Sequence, residues 1–84
     1  MVKAVRVGDT VTLPSGLVVP ITVAADPGRP WAPIAVTHLW HVCRAHGHGE
    51  PGVSHYFGGR RHLLQLDEAD ARALAAALNR ARPT

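Results

Sequence analysis

Eighty-four residues, 46% hydrophobic and 18% charged, describe one globular domain, too short for two cores and too apolar for a disordered chain. The formal charge of +3 excludes an acidic protein and is compatible with a polyanionic partner or simply with solubility. No apolar run nears the ~18 residues of a membrane helix, and a single cysteine excludes an internal disulfide, which fits a reducing compartment.

The opening MVKAVRVGDT has charges and no apolar signal core, so a cytoplasmic protein is expected. Residues 2–7, VKAVRV, alternate loosely and predict a strand ended by the turn signal Gly8-Asp9. Thr10 to Leu13 predicts a second short strand, and Pro14-Ser15-Gly16 a turn. Leu17 to Val23, LVVPITV, has strand composition, but Pro20 has no N–H to donate, which places it at an edge or a bulge. Ala24 to Pro33 carries three prolines and predicts a loop that crosses between layers.

Residues 5–23 resemble the opening of small bacterial barrels of the Src-homology-three type. The resemblance rests on Val7, Gly8, Asp9, Val11, Leu13, Ser15, Gly16, Thr22 and Val23, and the later HYFGGRR adds to it. Pro20 and the long stretch from Ala24 to Gly52 depart from that pattern. The resemblance implies a small barrel or curled sheet and carries no catalytic residue with it.

Ile34 to Cys43 is open to two assignments. As a strand it sets Ile34, Val36, His38, Trp40 and Val42 on one face; as a helix it would begin at Pro33 with Ala35, Leu39, Val42 and His46 in a stripe. Its β-branched content favours the strand. Arg44 to Gly52 predicts a loop, by its glycines and proline. Val53 to Leu66 predicts a hairpin turning at Gly58-Gly59, with Phe57 opposite Arg60, Tyr56 opposite Arg61 and His55 opposite His62. Residues 67–82 predict a helix capped by Asp67, with Asp70 in the place of a capping-box acid and a stripe of Ala71, Leu74, Ala75 and Leu78. Glu68 and Arg72 are spaced as an ion pair, and Arg80 and Arg82 suit the last turn. The expected fold class is therefore α+β: a small curled antiparallel sheet or partial barrel closed by one C-terminal helix.

The chemistry gathers between His38 and His62, which hold all six histidines and the one cysteine. Tyr56, Arg60, Arg61 and His62 mix an aromatic face with cations, as binding of single-stranded nucleic acid requires. That makes a non-enzymatic nucleic-acid-binding or regulatory module the first expectation. His38, His41, Cys43, His46, His48 and His55 supply nitrogen and sulfur donors, so a zinc-binding protein is the alternative. Their spacing matches no standard zinc finger or ribbon. A protein-interaction module is the third expectation. There is no phosphate loop, no GxGxxG and no GxSxG serine, and no base is tied to Cys43 by spacing, so no catalytic residue is assigned.

Overall fold

The structure, a computed structural model, describes residues 5–46, 50–59 and 61–83. Its elements are β1 (Thr10–Thr12), β2 (Val18–Pro20), β3 (Trp31–Val36), β4 (Leu39–His46), β5 (Glu50–His55) and α1 (Glu68–Leu78). They form a two-stranded sheet, β1-β2, and a three-stranded sheet, β3-β4-β5, with α1 packed on β3 and β4. The α+β class with one C-terminal helix holds; the β structure is two antiparallel sheets, and no closed barrel forms among the described residues. No helix among these residues is long and apolar enough to cross a membrane.

The first hairpin follows the local sequence. Val11 faces Val19 across it, and Gly16 takes a φ of +97° in the turn, where Leu13 N–H donates to Leu17 O (2.8 Å). Pro20 ends β2 in a two-stranded sheet, where its missing N–H leaves no ladder partner short. The strand expected over residues 2–7 is reduced, within the described part, to one parallel bridge. Val7 N–H donates to Arg82 O and Arg82 N–H to Val5 O, both at 2.9 Å. Residues 2–4 lie outside the described chain.

Residues 34–43 are extended, as their β-branched content favours, but they are not one strand. The chain reverses at Thr37-His38, so Ile34 pairs with His41 and Ala35 with Trp40. Thr37 holds a φ of +57° there, a conformation unusual for a β-branched residue. The three-proline loop ends earlier than expected, because Trp31 opens β3. The expected loop over 44–52 is shortened too: β4 runs to His46 and β5 begins at Glu50. Pro33 on β3 and Pro51 on β5 sit on the two edge strands of this sheet.

The hairpin expected over 53–66 does not form. Residues 50–55 pair with β4, and among the described residues of the returning segment only Leu66 joins the sheet, through a two-bond bridge to Trp40. Gly58 and Gly59 do take positive φ (62° and 77°), but they turn the chain over β2. Tyr56 explains why: it is buried, and its hydroxyl donates to Pro20 O and accepts from Thr22 N–H (3.0 Å). Arg60, and with it the expected Phe57–Arg60 pair, lies outside the described residues.

The helix begins as the sequence predicts. Asp67 accepts from Asp70 N–H (2.8 Å), and Glu68 bonds Arg72 (2.7 Å). Asp70 does not complete a capping box. It is buried and receives Ser15 N–H (3.0 Å) and Ser15 Oγ, fastening the first hairpin's turn to the helix start. The helix stops at Leu78, so Arg80 and Arg82 lie beyond its last turn. Asn79 follows, and its side chain binds the backbone of Trp31 at the start of β3. Ala71, Leu74, Ala75 and Leu78 are all buried, and the two alanines let the helix lie close to the sheet. The core around them comprises Leu13, Val19, Ile21, Trp31, Val42, Tyr56, Leu64 and Leu66.

Candidate functional site

The three-stranded sheet has one face under the helix and one without it. Along β4, Trp40, Val42 and Arg44 alternate with Leu39, His41 and Cys43. The first set belongs to the helix side: Val42 is core, Arg72 lies 5.6 Å over the Trp40 ring, and Arg44 lies 5.0 Å over Trp31. The second set shares its face with Ile34 and Val36 of β3 and with His55 of β5. Val36 and Leu39 are exposed there, at 40% and 37%.

On that face the structure brings together three of the six predicted metal donors. His55 is the cross-strand partner of Cys43, and His41 lies two residues before Cys43 on the same strand. The His41 and His55 rings stand edge to face with centres 5.3 Å apart. His41 Nδ1 is buried with no hydrogen-bond partner among the described residues. Its pKa is pushed below 6.5, first by desolvation and then by repulsion from His55. Cys43 is buried, and burial pushes its thiol pKa up. His38 stands apart, exposed in the β3–β4 turn. His46 closes β4 opposite Glu50, and His48 lies outside the described residues. Among the described residues no three His, Cys, Asp or Glu side chains are gathered so as to hold a metal ion.

The basic residues lie elsewhere. Arg61 and His62 are exposed and line an open cleft of about 510 Å³ together with Leu17, Leu63, Leu64 and Gln65. Tyr56, expected to offer a stacking face beside Arg61, is in the core instead, edge-on to Trp31 at 5.3 Å. The aromatic ring that solvent reaches near the glycine turn is Phe57, 42% exposed. Leu17 was not legible as a wall of this cleft: it comes from the other end of the chain, and nothing local marks it. Comparison with protein-family models, curated proteins and solved structures finds no match to this chain.

Proposed function

We propose that the protein is a small non-enzymatic binding module that takes single-stranded nucleic acid along the segment from Phe57 to Gln65. The observation that carries this is the cleft itself: an exposed arginine and an exposed histidine beside the apolar walls of Leu17 and Leu63. A guanidinium presents a planar fork that fits phosphate oxygens, and apolar or aromatic walls suit the faces of unstacked bases. In this arrangement Arg61 takes a phosphate, Phe57 replaces Tyr56 as the stacking ring, and Gln65 offers both a donor and an acceptor to a base edge. The net charge of +3 favours the encounter.

The test is a fluorescence-anisotropy titration of a short labelled oligonucleotide at low salt. Arg61→Ala and Phe57→Ala should each weaken binding, and added salt should weaken it for the wild type through counterion release. No binding by the wild type at about 100 μM, the weak end of non-specific nucleic-acid affinities, overturns the proposal.

A further inference from the structure

We infer that His41 and His55 form a two-imidazole site for a divalent transition metal on the face of the β3–β4–β5 sheet opposite the helix, with water or a small anion completing the coordination. Geometry supplies the first support. Two imidazoles sharing a tetrahedral zinc through Zn–N bonds of about 2.1 Å hold their ring centres about 5 Å apart; these two are 5.3 Å apart. The register supplies the second. Cys43 faces His55 directly, so His41 is its diagonal neighbour on an antiparallel pair, close enough for long side chains to meet. The ladder is irregular between Cys43 and Ala45, next to the pair, and such irregularities re-aim side chains.

Chemistry supplies the third. His41 Nδ1 is buried and unpartnered, an unmet bonding requirement on one of the two rings. Imidazole nitrogen suits zinc, copper and nickel. Two protein ligands leave coordination positions open, unlike the closed four-ligand sites of structural zinc. The site is separate from the cleft at Arg61 and does not depend on nucleic-acid binding.

The experiment uses the untagged chain, stripped with chelator and then titrated with zinc while the imidazole resonances of all six histidines are followed by NMR. The resonances of His41 and His55 should move together, on one binding curve. His41→Gln and His55→Gln should each weaken that binding by about ten-fold or more, a loss of about 1.4 kcal/mol. His38→Gln and His62→Gln should leave it unchanged. Circular dichroism in chelator checks that each variant is folded; for any that is not, the wild-type resonances decide alone. The proposal is overturned if zinc at about 1 mM, a limit for weak specific binding, leaves both rings unmoved. It is equally overturned if zinc moves only His46 and His48, or if both glutamine variants bind zinc as the wild type does.

Discussion

Asn79 and Trp31 exchange two hydrogen bonds: Trp31 N–H donates to Asn79 Oδ1, and Asn79 Nδ2 donates to Trp31 O, each at 2.8 Å. A side-chain amide thus acts as a strand neighbour for the first residue of β3, one residue past the helix. The pair joins the helix end to the edge of the sheet. Asn79→Ala leaves both backbone groups of Trp31 without those partners and should cost about 1–3 kcal/mol. Asn79→Asp keeps an acceptor for the N–H but offers the carbonyl no donor, and should also be less stable than wild type. Urea midpoints at neutral pH check both.

The Gly-Gly turn predicts unequal effects. An added Cβ at Gly58 would meet Val19 Cγ1 at 2.9 Å and Tyr56 Cε2 at 3.2 Å, whereas one at Gly59 meets nothing within 4 Å. Both positions have positive φ, so Gly59→Ala should cost about 1 kcal/mol from backbone alone. Gly58→Ala adds the overpacking of a filled core and should cost about 2–4 kcal/mol. Thr37 is the converse case: Thr37→Gly should stabilise by about 0.5 kcal/mol by relieving its left-handed backbone. Thermal melts of the three variants rank them.

The two side-chain bonds at the start of the helix should differ in weight. Asp70 is 3% exposed and holds the Ser15 turn through two bonds. Ser15→Ala removes the hydroxyl partner of a buried carboxylate and should cost about 1–3 kcal/mol. The Glu68–Arg72 pair is 54% and 61% exposed, so Arg72→Ala should cost about 1 kcal/mol or less, including its position over Trp40. Chemical denaturation of each single variant compares the two.

His41 makes stability depend on pH. Its folded-state pKa lies below the ordinary 6.5, through desolvation first and repulsion from His55 second. Above 6.5 the imidazole is neutral whether the chain is folded or not. As the pH falls below that value the unfolded chain binds the proton first, so stability declines until the pH passes the folded-state pKa. Denaturation midpoints in chelator should therefore drop as the pH falls below 6.5, and His41→Gln should flatten that part of the profile. An unchanged slope in the variant would assign the pH dependence to another group.

The helix was legible because its signals are local: Asp67 caps it, and Ala71, Leu74, Ala75 and Leu78 repeat at helical spacing. Strand identity was legible in the same way, from β-branched content. Strand partners were not, because pairing is decided between segments. Gly58-Gly59 carries the sequence signal of a hairpin, yet the closeness of Val19 and the buried hydroxyl of Tyr56 account for its shape. The real turn at Thr37-His38 has no turn-forming residue at all. The same non-locality governs the sites. Strand alternation alone puts His41 and Cys43 on one face, but their neighbour His55 depends on β4 pairing with β5.

The bridge between Arg6 and Arg82 bears on how the protein is made. Residues 5–7 have their backbone partner near the far end of the chain, through Val5 O and Val7 N–H. On the ribosome, Val5 O and Val7 N–H lack these bridge partners until residue 82 has cleared the exit tunnel. The hairpins and the helix are local enough to form during elongation, but this contact closes a loop almost as long as the domain and pays its entropy last. A chain cut before Arg82, by a stalled ribosome or a protease, would therefore leave Val5 and Val7 without their bridge, which offers quality-control machinery a mark of an unfinished copy.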